Sequence, residues 1–329
     1  MTKVLFLIQD HKMPSSRVRV LNLLPELERA GFDLSVLKYP RNFTDKIVAF
    51  KTLRKYDIIF LQKKLISPFE IMIVRRLSNK LYFDFDDAIY YRHDSREDIV
   101  SRTRYLKFKY ITRSMDIVIA GNRFLAEYAR QFNRNVVIIP SAVETRNVPE
   151  KHHAAAGGKV IIGWVGGNVN LIHLGFLASV FQKLSKEYKI ELRVISDNFI
   201  NIPNVEVQHI PWSLETQERE IALFDIGVMP LPDNKHTEGK CGYKALQYMA
   251  AAVPPVVSDV GVNRDIVQHG KSGFVAASTD DFYYAIKTLI EDSELRRRMG
   301  VEARKVAEER FSVQVIGKRL AELLRNFSR

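Results

Sequence analysis

The chain alternates short, continuously apolar segments with segments of helical periodicity, and it does so twice. In the first half, KVLFLI (3–8) and DIIFLQ (57–62) have the Val, Ile and Leu content of parallel strands that are buried on both faces. Between them, SSRVRVLNLLPELERAG (15–31) predicts one helix, capped by Ser15 or Ser16. The alternation restarts at KVIIGWVGG (159–167). The sequence therefore predicts an α/β protein with two doubly wound, Rossmann-like domains.

A polar segment between the two alternations marks the domain boundary. ETRNVPEKHHAAAGG (144–158) has no apolar period and collects Pro, Gly, Ala and charged residues, which is typical of a linker. We predict a first domain over 1–145, a linker over 146–158, a second domain over 159–308 and a final helix over 309–329. Because doubly wound folds bind ligands at the carboxyl ends of their strands, we expect a site in a cleft between the domains.

The charge and the cysteine content restrict the partners of the chain. The 50 Lys and Arg exceed the 38 Asp and Glu and give a formal charge of +12, which favours anionic partners. Cys241 is the only cysteine, so an internal disulfide and a zinc site of several thiolates are excluded. The apolar segment after Met1 is too short for a signal sequence, and no run reaches the ~18 apolar residues of a membrane span. We therefore expect a cytoplasmic protein.

Two glycines follow the first predicted strand of the second domain. In IIGWVGGNVN (161–170), the strand leads to Gly166, Gly167 and Asn168, and a helical pattern follows. Glycines at such a turn let backbone N–H groups approach an anion, and the dipole of the next helix favours negative charge. The full G-x-G-x-x-G fingerprint is missing, so a simple turn of the chain is the alternative to a phosphate contact.

EGKCGYKALQYMAAAVPPVV (238–257) joins a polar loop to an amphipathic helix. The loop follows the predicted strand DIGVMPL and therefore lies at the carboxyl end of that strand. Helical periodicity begins near Gly242, which places Lys240 and Lys244 where both ammonium groups and the helix dipole could meet a diphosphate. A solvated pair of lysines at an exposed loop is the alternative.

EGKCGYKALQYMAAAVPPVVSDVGVNRDIVQHGKSGFVA (238–276) resembles the donor-site signature of the family 4 (group 1) retaining glycosyltransferases. GWVGG and SSRVRVLNLLPELERAGFDLSVL support the resemblance, which implies a divergent branch of that family and the GT-B fold. In that fold, the last helix crosses back to the first domain. The resemblance implies transfer of a hexosyl or related group from a nucleotide diphosphate sugar to a glycan or lipid-linked acceptor, with retention, in polysaccharide or cell-envelope glycan synthesis. It implies no metal and no other cofactor.

The chain departs from the family pattern at a pair of glutamates. Alignment on the apolar helix residues places Gln247 at the second glutamate, where its amide can still hydrogen-bond a ribose hydroxyl. Glu238 lies one residue ahead of the first, so its catalytic contact to the sugar requires a shift of the loop. The Arg and Lys that hold the donor diphosphate in many members are missing after GWVGG, and the resemblance implies Lys240 and Lys244 as their substitutes.

YFDFDDAIYYRHD (82–94) ends a predicted strand with three carboxylates. Asp84, Asp86 and Asp87 could bind Mg²⁺, but strand alternation sends Asp84 and Asp86 to one face and Asp87 to the other. We therefore predict no metal site. At this strand end the family contacts the donor sugar or the acceptor, so we expect Asp86 and Asp87 to orient acceptor hydroxyls or to receive a proton. Capping of a helix by Asp87 is the alternative.

Two basic segments of the first domain remain. Arg17 follows the first strand in a loop that, by the resemblance, approaches the donor phosphates, where it could stabilise the leaving diphosphate. An exposed first-turn arginine is the alternative. The predicted helix over 97–114 interleaves Arg102, Lys107 and Arg113 with aromatic residues. This pattern is typical of a helix on an anionic membrane, and equally of a solvated face with its aromatics in the core. No dedicated motif indicates a nucleic-acid site.

We thus expect a cytoplasmic glycosyltransferase with peripheral contact at the inner face of the membrane. Two alternatives stay open. A nucleotide-sugar-binding protein without turnover is compatible with the altered glutamate pair. A basic nucleic-acid or membrane-surface binder is compatible with the net charge, and it predicts an affinity that falls steeply with salt and is indifferent to nucleotide diphosphates.

Overall fold

The computed structural model describes residues 1–92, 99–151 and 158–326, and it divides the chain into two compact units. The first unit is built from the segments Met1–Ala142, Glu238–Cys241 and Val313–Arg329, and the second from Val143–Thr237 and Gly242–Ser312. The parts of the predicted linker, basic helix and final helix that lie outside the described residues are 152–157, 97–98 and 327–329.

The first unit contains a parallel sheet whose strands are β1 (Lys3–Ile8), β2 (Asp33–Lys38), β3 (Ile58–Gln62), β4 (Lys80–Phe85), β5 (Ile117–Ala120) and β6 (Val136–Ile138). The strand order is β2-β1-β3-β4-β5-β6. Most residues of β1, β3, β4 and β5 are buried, because helices cover both faces, and this burial explains their continuous apolar sequences. The winding direction reverses between β1 and β3, so the loops after these two strands meet at a switch point.

The helices of the first half of the chain are α1 (Pro14–Arg19), α2 (Leu24–Arg29), α3 (Phe43–Thr52), α4 (Pro68–Leu77), α5 (Arg102–Ser114) and α6 (Arg123–Arg130). Apolar residues of α3, α4, α5 and α6 pack together on one face of the sheet. Residues of α2 pack on the opposite face. The first unit is therefore a sheet between two helical layers, which is the predicted α/β architecture.

The second unit contains a parallel sheet whose strands are β7 (Val160–Val165), β8 (Ile190–Ile195), β9 (Val207–Ile210), β10 (Ile226–Met229), β11 (Pro255–Ser258) and β12 (Phe274–Ala276). The strand order is β12-β11-β10-β7-β8-β9, the arrangement of a Rossmann fold. The winding direction reverses between β7 and β10, so the segments that follow these two strands share a switch point. Two doubly wound domains are thus confirmed.

The helices of the second half of the chain are α7 (Leu171–Leu174), α8 (Ala178–Glu187), α9 (Gln217–Ile221), α10 (Tyr243–Ala250), α11 (Asn263–Ile266), α12 (Thr279–Glu291), α13 (Ser293–Val306) and α14 (Val313–Asn326). α14 belongs to the first unit and packs beside α2, where a Cβ on Gly317 would lie 2.6 Å from the Cβ of Glu26. Its apolar face completes the helical layer that α2 begins.

Between β1 and β2 the structure has two helices, α1 and α2, where one helix over 15–31 was predicted. α1 begins at Pro14 with Met13 as its N-cap, so neither predicted serine caps it. The Ser16 hydroxyl instead lies 3.0 Å from Oε1 of Gln62 and donates a hydrogen bond to it. The single-helix prediction was wrong because Pro25 lacks an N–H and favours the first turn of a new helix, α2.

Candidate functional site

The switch point of the second unit brings together Gly166 and the beginning of α10. β7 runs into Gly166 and Gly167, and the backbone N–H of Gly166 donates to the carbonyl of Ile195 over 3.0 Å. A short turn over Asn168–Asn170 follows, with Gly167 as its N-cap. α10 follows β10, the neighbour of β7 in the sheet. The predicted glycine turn and the predicted lysine helix therefore lie at one edge of one sheet.

Lys244 lies in the first turn of α10 and packs on the β7 end. Its ammonium nitrogen is 4.3 Å from the ring centroid of Trp164, which is a cation–π contact. A Cβ placed on Gly166 would lie 2.7 Å from Cε and 2.8 Å from Nζ of Lys244. The missing side chain at residue 166 thus makes room for the lysine. The indole N–H of Trp164 is buried and has no acceptor among the described residues.

α10 is fixed at both of its ends. Its N-cap, Gly242, has a left-handed backbone with φ of 66°, and a Cβ there would lie 2.3 Å from Cδ1 of Ile266, so glycine is required. The buried Tyr248 hydroxyl accepts the N–H of Val165 over 3.2 Å and donates to the carbonyl of Val228 over 3.1 Å. Burial raises the pKa of this phenol above its usual range, so it stays a neutral donor. The N–H groups at the start of α10 are therefore held against β7 and β10.

Two other predicted donor-binding side chains of the second unit engage neighbouring amides. The amide nitrogen of Gln247 lies 3.3 Å from Oε1 of Gln217 and donates to it. The exposed Asn168 accepts a hydrogen bond of 2.8 Å from the amide of Asn198. The unit thus contains Gly166, Gly167, Asn168, Lys244 and Gln247, and the contact of each with a donor stays a prediction.

In the first unit, one carboxylate at the end of β4 pairs with an arginine, and the next two carboxylates along the chain pair with a lysine. The buried Asp84 accepts two hydrogen bonds of 3.2 Å from Nε of the buried Arg19. Burial alone would lower the pKa of this guanidinium, but the charge of Asp84 outweighs it and raises the pKa. Asp86 and Asp87 both pair with the ammonium of Lys63, the former over 2.8 Å. The ammonium pKa is raised, because the two carboxylates outweigh the effect of burial.

These pairings show that the prediction of alternating side chains in the acidic stretch was wrong. β4 ends at Phe85, so alternation does not extend to Asp86 and Asp87, which share one lysine. The Asp87 carbonyl accepts the N–H of Ile89 in a turn, and no helix begins at this residue. Asp87 therefore does not cap a helix. Within residues 1–92, 99–151 and 158–326, no group of three His, Cys, Asp or Glu side chains could hold a metal ion.

The segment Glu238–Cys241 belongs to the first unit, although the residues before and after it belong to the second. The Asn122 amide donates to the carbonyls of Glu238 and Lys240, over 3.3 and 3.0 Å. The Lys240 ammonium is 3.4 Å from Asp87. Burial and the charge of Glu238 together raise the pKa of the Tyr91 phenol. Lys240 thus has a carboxylate partner, and its joint action with Lys244 on a diphosphate stays a prediction.

Sequence reasoning missed three residues of these sites: Arg19, Lys63 and Trp164. Arg19 follows Arg17 in α1, and nothing in the sequence distinguishes the buried arginine from the half-buried one. Lys63 follows β3 directly at the switch point of the first unit, which was an available signal. It also has a left-handed backbone with φ of 54°, unusual for a residue other than glycine.

Comparison with known proteins identifies a family over part of the second half of the chain. Residues 159–292 match the family described as glycosyl transferases group 1. The capsular polysaccharide biosynthesis glycosyltransferase CapM of Staphylococcus aureus is 26% identical over an alignment of 248 residues, which covers 70% of this chain and 62% of that protein. The chain therefore spans less than two thirds of the length of this relative.

Two solved structures share the fold over the whole chain. Sucrose-phosphate synthase from Thermosynechococcus elongatus has a TM-score of 0.75 at 14% identity, and the match covers 99% of each chain. Anabaena HepE, solved in complex with UDP and glucose, has a TM-score of 0.75 at 15% identity, with 99% of this chain and 100% of that chain covered. At such identities the likeness establishes the fold of two Rossmann-like domains.

Proposed function

Because residues 159–292 match the group 1 glycosyltransferases, we propose that the chain transfers a sugar from a nucleotide diphosphate donor to a glycan or lipid-linked acceptor. The observation that carries the proposal is the position of Lys244 at the start of α10, beside Gly166 and above the Trp164 ring. A cation, backbone N–H groups and a helix N-terminus at a switch point are the features that bind a diphosphate. All of them lie within the residues that match the family.

The chemical demand of the reaction is the departure of a nucleotide diphosphate. As the bond between the sugar and the diphosphate breaks, negative charge grows on the phosphate oxygens and positive charge grows on the sugar. Lys244 and the N–H groups of α10 would stabilise the phosphate charge, and they would act most strongly in a site from which water is excluded. Retention of configuration stays an expectation from the resemblance.

The carboxylates of the first unit are the proposed acceptor groups. Asp86 and Asp87 would orient an acceptor hydroxyl or receive its proton, and Glu238 would contact the sugar. Both carboxylates lie against the Lys63 ammonium, and their oxygens would serve as hydrogen-bond acceptors for hydroxyl groups. Arg17 on α1 would add positive charge for the leaving diphosphate.

The relatives indicate which substrates to test first. HepE was solved with UDP and with glucose, and CapM takes part in capsular polysaccharide biosynthesis. We therefore infer a UDP-sugar as the first donor to test and a growing surface polysaccharide, free or lipid-linked, as the acceptor. No metal or cofactor enters this proposal. We place the reaction at the inner face of a membrane, and among the described residues no helix is long and apolar enough to cross one.

The direct test is nucleotide binding by the wild type and by Lys244→Met, which removes the charge and keeps most of the side-chain volume. Calorimetry with UDP, GDP and ADP should give one preferred nucleotide, and Lys244→Met should weaken its binding by about 30-fold or more, since charged hydrogen bonds contribute ~2–3 kcal/mol. Lys186→Met, an exposed lysine of α8, is the matched control. Equal affinities for the wild type and Lys244→Met would contradict the proposed phosphate site.

Turnover separates the enzyme from a nucleotide-sugar-binding protein. Gln247 stands where the family has a glutamate, and this is the observation that favours the non-catalytic alternative. Transfer of a labelled sugar, or slow hydrolysis of the preferred nucleotide sugar, would establish an enzyme. Tight binding with neither reaction would support the alternative. Binding that depends on salt and ignores nucleotide diphosphates would instead indicate a basic surface binder.

A further inference from the structure

Three helices of the first unit lie side by side over one face of its sheet. α3, α4 and α5 direct the apolar residues Ala49, Phe50, Ile71, Val74, Phe108 and Ile111 into a single core cluster with that sheet face. α3 and α4 are joined by an ion pair of 2.7 Å between Lys46 and Glu70. Because the three helices bury the same side, their opposite sides form one surface that faces solvent. We call this surface the outer helical face.

The outer helical face exposes large apolar side chains that the core does not use. Phe43 is 75% exposed, Val48 is 67% exposed and Phe69 is 65% exposed. The same surface also exposes Ile47, Met72, Tyr105, Leu106 and Tyr110. Among the other described residues of the first unit, the exposed large apolar side chains are Met1, Met13 and Val100. Exposed apolar residues are common singly, but a concentration on one surface indicates an interaction site.

Positive charge surrounds these apolar side chains. The exposed cations of the three helices and the turn after α3 are Lys51, Arg54, Lys55, Arg76, Arg102, Arg104 and Arg113. The acidic residues of the same elements are Asp45 and Glu70, and Glu70 is neutralised by Lys46. α5 has five basic residues and no acidic one. The outer helical face is therefore apolar in its projecting side chains and strongly cationic around them.

We propose that the outer helical face docks the protein on an anionic lipid bilayer. Phe43, Val48 and Phe69 would enter the boundary between headgroups and acyl chains, and the surrounding Lys and Arg would bind lipid phosphates. Membrane binding of this kind grows with the apolar area that enters the interface and with attraction to anionic lipids. The surface is wider than α5, the segment that the sequence pattern indicated.

The exposed side chains favour a bilayer over the other anionic partners. Ile47, Val48, Leu106 and Met72 are aliphatic or thioether chains, which cannot stack on bases as a single-stranded nucleic acid requires. Long Lys and Arg chains beside aromatic and aliphatic residues match the layered polarity of a headgroup region. Nucleic acid and a second protein are therefore outcomes that the test must distinguish.

The first test removes the apolar side chains and leaves the charge unchanged. Wild-type protein should float with vesicles of phosphatidylcholine and phosphatidylglycerol, and it should not float with pure phosphatidylcholine. Phe43→Ser/Val48→Ser/Phe69→Ser should bind the anionic vesicles about tenfold more weakly or worse. Leu214→Ser/Tyr284→Ser/Val301→Ser replaces exposed apolar residues of the second unit and is the matched control. Equal binding by the two triple variants, or no binding by the wild type, would overturn the proposal.

The second test changes the charge by one reversal on each helix. Lys51→Glu/Arg76→Glu/Arg113→Glu should lose at least tenfold in vesicle affinity, whereas Lys186→Glu/Lys189→Glu/Arg298→Glu, with the same net charge, should lose far less. Equal losses in both variants would mean that net charge alone drives binding, and they would overturn the docking surface. Stronger competition by single-stranded RNA than by anionic vesicles would assign the surface to nucleic acid.

A third measurement reports insertion directly and does not depend on the proposed enzyme activity. Phe69→Trp should be quenched by brominated lipid on anionic vesicles, whereas Tyr284→Trp should not. An unquenched Trp at residue 69 on bound protein would contradict insertion. Calorimetry with nucleotides in the absence of vesicles should be unchanged in every variant of the outer helical face. A loss of both properties would indicate misfolding, which circular dichroism detects.

Discussion

The buried pair of Arg19 and Asp84 gives the sharpest test of how the first unit is held together. Both side chains are almost fully buried, at 3% and 1% exposure, and the guanidinium also donates to the Ile139 carbonyl over 2.8 Å. The pair attaches α1, which carries Arg17, to the end of β4, directly before Asp86. Its loss should therefore affect both stability and the position of the predicted site.

The magnitude follows from the charge that each substitution leaves behind. Arg19→Met leaves a buried, unpaired carboxylate and should cost about 3–5 kcal/mol of unfolding free energy at pH 7. Burial raises the pKa of an unpaired carboxyl, so the native variant takes up a proton more readily than the unfolded chain as the pH falls. The loss should thus shrink toward pH 4. Asp84→Asn leaves a guanidinium that cannot shed its proton, so its loss should persist at low pH.

The assay uses the location of the two tryptophans, Trp164 and Trp212, which both lie in the second unit. Urea unfolding followed by fluorescence therefore reports the second unit, and far-ultraviolet circular dichroism reports both. Arg19→Met should shift the transition that circular dichroism detects and leave the fluorescence transition in place. The double variant Arg19→Met/Asp84→Asn should lose less than the sum of the single variants, because no charge stays buried. Additive losses below ~1 kcal/mol each would refute the reasoning.

Three further predictions concern the space around two glycines and the pH dependence of stability. Gly166→Ala should weaken nucleotide binding by about tenfold in calorimetry, because its Cβ would lie 2.7 Å from a lysine carbon, whereas Gly175→Ala, with nothing within 4 Å and outside the predicted donor-binding residues, should bind normally. Gly163→Ala should cost about 3 kcal/mol in thermal or urea unfolding, because its Cβ would lie within 2.2 Å of three atoms of a phenylalanine ring, whereas Gly175→Ala should be nearly neutral. The pKa of Glu70 is lowered to about 2, since hydrogen bonds from an α3 lysine and from its own N-cap outweigh the opposing effect of burial. The stabilisation by this carboxylate is thus fully present above its ordinary pKa of 4.5 and is lost as the pH falls toward 2, so Glu70→Gln should flatten the pH dependence of the stability of the first unit over that range. An unchanged pH profile would remove that assignment.

The sequence predicted the sheets well because their signal is local. Each buried strand is an unbroken apolar run, and the alternation of such runs with helices indicates a parallel, doubly wound sheet. α3 was missed for a physical reason. Its apolar residues Phe43, Ile47 and Val48 lie on the exposed side, so they blur the helical periodicity that burial normally creates. The exposure that hid the helix is also the basis of the outer helical face.

The arrangement of the predicted site residues could be foreseen only where neighbouring residues determine it. Gly166 and Lys244 lie in short motifs whose places follow from the strands before them, and the structure brings the two together. The partner of Lys240 could not be predicted, because Asp87 is distant in sequence and the choice depends on tertiary packing. The pairing of Asp86 and Asp87 with one lysine likewise depends on where β4 ends, which periodicity resolves poorly.

The segment Glu238–Cys241 limits how such a chain can be recombined. A gene crossover that exchanged Val143–Ser312 with a relative would also exchange these four residues, whose contacts belong to the first unit. A side chain in place of Gly239 would meet the methyl group of Ala88 at 2.7 Å, and the Asn122 amide would need carbonyls in the same places. The two domains are therefore not exchangeable cassettes. A functional chimaera must take these four residues from the same parent as the first domain, although in the gene they lie between two segments of the second domain.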